Sequence, residues 1–335
     1  MLVTGGAGFI GSHLVDLLLE QGCRVTVIDD LSTGRRENLP GSHDRLRFIE
    51  ADLAAALPAL GPEERFDEIY HLAAAVGVRL IIEQPVRSIE TNVITTAAVL
   101  SFALDHGPRP GAPCPILIAS SSEVYGKSAK CPFSEDDDVV YGPTTKTRWS
   151  YACSKAIDEY LALAHHRQHG LPAVVARFFN TVGPRQVGSY GMVLPNFVSA
   201  ALSGRDLLVY GDGRQTRCFC DVRDVVRALP ALLADPAHAG RVFNVGSDSV
   251  ISIGDLAALV CRTLGSRSRI RTVPYEEAYT AGFEDLRQRQ PDLARIRAAI
   301  GFVPRIPLEQ TIRDIAAYLG AAAAPGATLA TGGAR

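Results

Sequence analysis

Apolar and polar positions follow a rhythm of short apolar runs alternating with longer amphipathic stretches. Met1-Leu2-Val3 ends a buried strand, and an apolar helix is predicted from about Ser12 to Gln21. Strands are predicted over Arg24–Ile28, Leu46–Glu50 and Glu68–Leu72. A helix over Thr91–His106, a strand over Pro115–Ser120 and a helix over Tyr151–His169 continue the series. Ala152, Ile157, Tyr160, Leu161, Leu163 and Ala164 supply that last helix with apolar positions. Strand and helix alternating to about residue 180 predict an α/β fold, a doubly wound parallel sheet. Beyond 181 the rhythm shortens. A turn at 182–186 precedes a helix over Val193–Leu202 and a strand over Leu207–Tyr210. A strand over Arg217–Asp221, a helix over Asp224–Ala234 and a strand over Val242–Val245 follow. The expected organisation is a first domain at 1–180, a smaller α/β lobe at 181–320 whose strands interleave with it, and a disordered tail at 321–335, rich in alanine, glycine and threonine. No internal repeat is present.

The chemistry begins at Thr4-Gly5-Gly6-Ala7-Gly8-Phe9-Ile10-Gly11, between the first strand and first helix. Gly5, Gly8 and Gly11 let backbone turn tightly and approach a pyrophosphate, with Phe9 and Ile10 in the same turn. The second strand runs into Asp29-Asp30, about 20 residues on. An acid there accepts from an adenosine ribose and repels a 2′-phosphate, which favours NAD over NADP. The loop with Ser32, Thr33 and Gly34 could close over that ribose, whereas Arg35 and Arg36 could instead accommodate a 2′-phosphate. Asp52-Leu53 suits the adenine edge. Leu72, Ala73 and Ala74 are small enough at the fourth strand's end for a cofactor to lie against it, and His71 reads as a packed core histidine.

Composition narrows the classes. The 335 residues are 47% hydrophobic and 21% charged, with a net charge of −2, which argues against nucleic-acid or anionic-membrane partners. The seven cysteines form no CxxC pair, so no metal is expected and the thiols read as reduced in a cytoplasmic protein. The N-terminus enters the glycine loop directly, so no cleavable signal is expected, and no apolar run reaches the ~18 residues of a membrane span.

The stretch Ser120–Lys155 carries the reactive groups. Tyr151 and Lys155, four apart, share a helix face. Free tyrosine, with a pKa near ~10, is a poor base, and a neighbouring cation favours its phenolate. Lowering it to about 7 takes ~4 kcal/mol, within reach of an ammonium and a bound cationic nicotinamide. The strand ending at Ser120 delivers Ser121, Ser122 and Glu123 to the carboxyl end of the sheet, where ligands of such folds bind. Ala119, one residue before the strand's end, is assigned no part in the site. Glu135-Asp136-Asp137-Asp138 reads as a solvated acidic turn.

These residues resemble the extended short-chain dehydrogenase/reductase family, the NAD-dependent epimerases and dehydratases of nucleotide sugars. The resemblance rests on TGGAGFIG at 4–11, HLAAA at 71–75, SSSEVYG at 120–126, YACSK at 151–155, FFNTVGPRQ at 178–186, GDGRQTRCF at 211–219 and FNVGS at 243–247. It implies a Rossmann core, held NAD, a UDP- or TDP-sugar, and a homodimer through helices near 92–106 and 151–169. Asn92, Ser120, Phe178 and Val182 then join the cofactor set. Arg148, Asn180, Arg185, Leu194, Val209, Tyr210, Arg217 and Arg289 form the substrate set. Ser122 stands where the 4,6-dehydratases carry an aspartic acid. Glu123 with Arg148-Trp149 resembles the UDP-glucuronate decarboxylases, although the loop Val76-Gly77-Val78-Arg79 departs from theirs. Tyr151, Lys155, Ser121, Ser122, Glu123 and Arg289 are the catalytic set, and decarboxylation of UDP-glucuronate is the expected reaction. The alternatives are 4-epimerisation and a non-catalytic NAD-binding regulator, and the latter is disfavoured because both Tyr151 and Lys155 are present.

Overall fold

The computed structural model describes residues 1–75, 84–188, 192–274 and 287–322. The loop at 76–79 and nearly all of the expected tail lie outside the described residues.

Among the described residues, seven parallel strands form the central sheet. They are β1 (Leu2–Thr4), β2 (Val25–Asp29), β3 (Leu46–Glu50), β4 (Ile69–His71), β5 (Ile116–Ser121), β6 (Ala173–Phe178) and β11 (Val242–Val245). Their spatial order is β11-β6-β5-β4-β1-β2-β3. The order reverses at β1, where β2 lies on one side and β4 on the other, which opens a crevice at the strands' carboxyl ends. Helix α1 (Phe9–Glu20) and helix α6 (Val222–Leu233) cover one face. Helices α2 (Leu53–Ala59), α3 (Pro85–Asp105) and α4 (Ser150–His169) cover the other. Strands covered on both sides are apolar throughout, as in β5, where Ile116, Leu117 and Ile118 are fully buried.

The smaller lobe has its own core, in which Leu194, Val198, Leu207, Leu256, Val260 and Ile312 pack together. It is built from helix α5 (Val193–Leu202), strand β8 (Leu207–Tyr210), helix α7 (Ile253–Leu264) and helix α9 (Leu308–Ala322). Strand β13 (Ile270–Val273) pairs parallel with β8, and helix α8 (Ala294–Ile300) packs back on the first core.

Several elements differ from the expectation. Helix α3 starts at Pro85, six residues earlier than predicted, with proline at a helix start where its missing N–H costs nothing. Helix α1 starts at Phe9, directly on the glycine loop. The single strand expected over 217–221 is two, β9 (Thr216–Cys218) and β10 (Cys220–Asp221). The first pairs antiparallel with β12 (Val250–Ser252), the second parallel with β7 (Thr181–Val182). The acidic turn is not solvated throughout. Glu135 is buried, its Oε1 accepts from the Asn244 N–H at 2.9 Å, Asp137 is half-buried, and Asp136 and Asp138 are exposed.

Candidate active site

A cavity of about 980 Å³ opens along the carboxyl ends of the sheet. Its floor is the glycine loop. A Cβ on Gly11 would sit 2.1 Å from the Gly5 carbonyl oxygen, and one on Gly5, whose φ is +70°, would sit 2.7 Å from the Ala73 nitrogen. Side chains there would collide with the loop's own backbone and with the chain leaving β4, so the tight turn that a pyrophosphate needs could not form. The N-terminus of α1 carries no side-chain cap, so its amides face the cavity unspent. At the end of β2 the Asp29 carboxylate accepts from the amides of Ala7 and Leu31, each at 2.9 Å, which fixes it at the cavity wall. Arg36 turns away to the Pro40 carbonyl and the Phe48 ring, and Arg35 approaches Glu37, so neither lines the cavity. This geometry suits NAD better than NADP.

Of the expected cofactor positions, all but Gly34 and Asn92 line the cavity. Gly34 packs behind the wall, where a Cβ would meet Asp29 Oδ1 at 2.9 Å. Asn92 is buried and acts as a brace: its Oδ1 accepts from the Ala75 N–H at 2.8 Å, and its Nδ2 donates to Ser154 Oγ at 3.2 Å. Ala119 is corrected in the opposite direction. It was assigned no part, yet it lines the cavity, because β5 runs on to Ser121 and alternate residues of a strand share a face. Two expected substrate positions lie off the wall. Arg185, at φ +68°, points out to Asp16 on α1 at 2.7 Å. Val209 faces the lobe's core, whereas its neighbours Leu208 and Tyr210 face the cavity. Arg148, Asn180, Leu194, Arg217 and Arg289 line it. So do Arg87, Gln186, Asn196, Arg205 and Gln215, which the sequence reading passed over. Arg87 falls in the part of α3 that periodicity missed, and Gln186 closes a motif already quoted. Arg205 carries no signal of its own.

Ser121, Glu123, Tyr151 and Lys155 meet at the sheet's end. Ser121 closes β5, and its Oγ accepts from the Glu123 N–H at 3.2 Å, capping a 3-10 turn over Ser122–Tyr125. That cap aims Glu123 inward, while Ser122 is buried beside it. The Glu123 carboxylate takes Arg289 Nη1 at 2.6 Å and Arg148 Nη1 at 2.7 Å. Burial opposes its charge, but Arg289 and then Arg148 outweigh that and hold it down to about 2. Glu123 therefore stays an anion near neutral pH. Arg289 is held in place by its neighbours. The Phe133 N–H donates to the Gln290 carbonyl, and the Asp292 N–H to the Phe133 carbonyl, both at 2.8 Å. The buried Asn244 amide donates to the Phe133 and Asp292 carbonyls and accepts from the Tyr125 hydroxyl.

Tyr151 and Lys155 share a face of α4, as expected, but the ammonium's partner is different. Lys155 Nζ reaches forward to Asp158 Oδ2 at 3.0 Å, with both side chains buried. Burial pushes the Tyr151 phenol up rather than down, Glu123 and Asp158 add to that, and a hydrogen bond with Ser121 opposes it. The expected phenolate is thus not a property of the protein alone. His71 is the packed histidine that its position suggested. It bonds Thr4 Oγ1 at 2.8 Å and Thr96 Oγ1 at 3.1 Å, and burial lowers it to about 3.

Residues 1–246 match the NAD dependent epimerase/dehydratase family. The chain belongs to that family. It is 40% identical over 317 residues to a UDP-N-acetyl-alpha-D-glucosaminuronate decarboxylase of Bacillus cytotoxicus, covering 93% of this chain and 95% of that one. It is 34% identical over 320 residues to UDP-glucuronic acid decarboxylase 1 of Xenopus tropicalis, covering 95% of this chain and 71% of that one. Among solved structures it resembles a UDP-N-acetylglucosamine 4-epimerase from Methanobrevibacter ruminantium in complex with UDP-N-acetylmuramic acid. The TM-score is 0.84 and the identity 30%, over 96% of this chain and 97% of that one. The glycine loop, the uncapped helix and the acid of β2 fit the family's NAD. Among the described residues no group of three or more His, Cys, Asp and Glu could hold a metal.

Proposed function

We propose that this chain decarboxylates UDP-glucuronate through a 4-keto intermediate, giving UDP-xylose or, if release comes early, the 4-keto-pentose. The observation that carries the reading is the trio Arg148–Glu123–Arg289. Two guanidiniums converge on one carboxylate in a largely buried pocket at the cavity wall. Paired guanidiniums there suit the C6 carboxylate of a hexuronate, which they can bind by charge-assisted hydrogen bonds that a neutral hexose does not offer.

The chemistry that NAD supplies when bound is reversible acceptance of hydride from C4. Once bound cationic nicotinamide and the Lys155 ammonium favour its ionised form, the Tyr151 phenolate takes the proton of the 4-hydroxyl, with Ser121 bonded to the same phenol oxygen. A C4 ketone makes the C6 carboxylate a β-keto acid. The C5–C6 bond then breaks, carbon dioxide leaves, and the electron pair enters an enolate whose oxygen Tyr151 and Ser121 stabilise. C5 then takes up a proton. Arg148 and Arg289 orient the carboxylate, and the fixed Glu123 anion keeps it from being held too tightly to leave. Asn180 and Arg217 lie on the cavity wall where a diphosphate would run.

A second reading, a 2-acetamido hexuronate, is favoured by the relative at 40% identity, which is named for that substrate. The test is NMR of UDP-glucuronate and UDP-N-acetylglucosaminuronate, each incubated with protein and NAD. Carbon dioxide and a pentose from the first support the proposal, and from the second alone support the acetamido reading. A 4-epimer with its carboxylate intact overturns decarboxylation.

We also infer a cytoplasmic homodimer. The outer faces of α3 and α4 expose Val86, Ile94, Ile157 and Tyr160, at 66, 56, 43 and 66%. A second copy packed on the same faces would bury them. The seven unpaired cysteines suit a reducing compartment. Among the described residues no helix is long and apolar enough to cross a membrane.

A further inference from the structure

Asp158 lies beneath the reactive tyrosine and lysine without touching the cavity. It is fully buried in α4 and does not line the cavity wall. Its Oδ2 takes the Lys155 ammonium at 3.0 Å, three residues back on the same helix. The Thr96 hydroxyl of α3 flanks it and links it to His71 of β4, whose other ring nitrogen bonds Thr4 at the head of the glycine loop. Removing the carboxylate alone would leave the buried Lys155 ammonium without this counter-charge, so Asp158 has a structural service to the fold as well.

Every other charge facing this spot is already matched. Glu159, next along α4, is clamped by Arg177 of β6 at 2.9 and 2.7 Å and accepts from Ser120 Oγ at 2.5 Å. Glu123, on the far side of Tyr151, is matched by Arg148 and Arg289. His71 is neutral near physiological pH. Asp158 is the anion whose counter-charge is Lys155 itself.

We propose that Asp158 is a positioning residue for the Tyr151–Lys155 pair: it draws the ammonium forward along the helix to itself, and so sets the pH at which the Tyr151 phenol gives up its proton. The quantity Asp158 controls is the proton loss of the Tyr151 phenol, which its charge opposes. With the carboxylate in place the ammonium is half-neutralised and the phenol keeps its proton. Without it the ammonium stabilises the phenolate unopposed.

This inference rests on the reading of Tyr151 as proton acceptor, and the test separates the two. Wild type, Asp158→Asn and Tyr151→Phe, each with NAD, are titrated by ultraviolet phenolate absorbance, and kcat is followed against pH on UDP-glucuronate. In Asp158→Asn, the phenolate signal that Tyr151→Phe lacks should rise at a roughly three- to tenfold higher proton concentration. The alkaline-rising limb of kcat should move with it, leaving the variant faster than wild type below that limb. An Asn variant with lowered thermal stability but an unmoved phenolate titration overturns the proposal, because a purely structural residue gives that result. Should Asp158→Asn not fold, Asp158→Ser, smaller and still able to meet the ammonium, carries the same expectation. If no UDP-hexuronate is turned over, the reading of function fails, while the phenolate titration still decides the role of Asp158.

Discussion

Glu123 is held ionised by two arginines, and that has a measurable consequence. Its folded pKa of about 2 lies below the ordinary 4.5, so its stabilisation is complete above about 4.5 and disappears as pH falls through about 2. A shift of that size corresponds to about 3 kcal/mol. Urea unfolding of wild type and Glu123→Gln should show a gap at pH 7 that narrows steadily between pH 5 and pH 2.5. A constant gap would mean that the ion pairs contribute nothing. Tyr151 gives the complementary prediction. Tyr151→Phe keeps the ring and the packing and removes the proton acceptor. Its kcat should fall by about 10²–10⁴-fold. Thermal stabilisation by NAD should persist, since the glycine loop and Asp29 are untouched.

The Gly5–Gly11 loop is the part of the site that the sequence showed most clearly. Its backbone fits one shape, and the glycine spacing reports that shape directly. Gly11→Ala places a methyl 2.1 Å from the Gly5 carbonyl oxygen, so the loop must deform. Calorimetric NAD affinity should drop at least about tenfold, the effect of a shift of about 1.4 kcal/mol. Strands and helices with strong periodicity were equally legible: Leu46–Glu50, Val193–Leu202, Leu207–Tyr210 and Val242–Val245 have the bounds that their patterns indicated. The misses have a common cause. Lys155 reaches Asp158, Glu135 lies under Asn244, and Arg185 swings out to Asp16, each because of a partner that local pattern does not reveal. Strand β13, four residues long, carries little periodicity to read, whereas helix α7 was legible and was passed over: Ile253, Leu256, Ala257 and Val260 recur at helical spacing. The Arg177–Glu159 clamp, which joins β6 to α4, was likewise invisible in the sequence. Arg177→Met should leave a buried carboxylate uncompensated and cost about 3–5 kcal/mol, measured by denaturant unfolding.

At the scale of the whole molecule, the exposed apolar faces of α3 and α4 lie side by side. Tyr160→Glu would place a charge at the centre of the proposed dimer contact, on a side chain that in the single chain is 66% exposed. Sedimentation should show wild type as a dimer and the variant as a monomer, with the variant's unfolding midpoint little changed at low concentration. A monomeric wild type would remove the dimer from the picture. The sheet's last strand has a different consequence. β11, at Val242–Val245, docks beside β6 only after the chain has passed through α5 and α6. A nascent chain leaving the ribosome has all six other strands available some sixty residues earlier. During that interval Ala173–Phe178 is a bare apolar edge, open to pairing with any extended segment nearby. The hazard in making this protein is therefore greatest mid-synthesis, and a slow stretch of translation just after β6 would lengthen it.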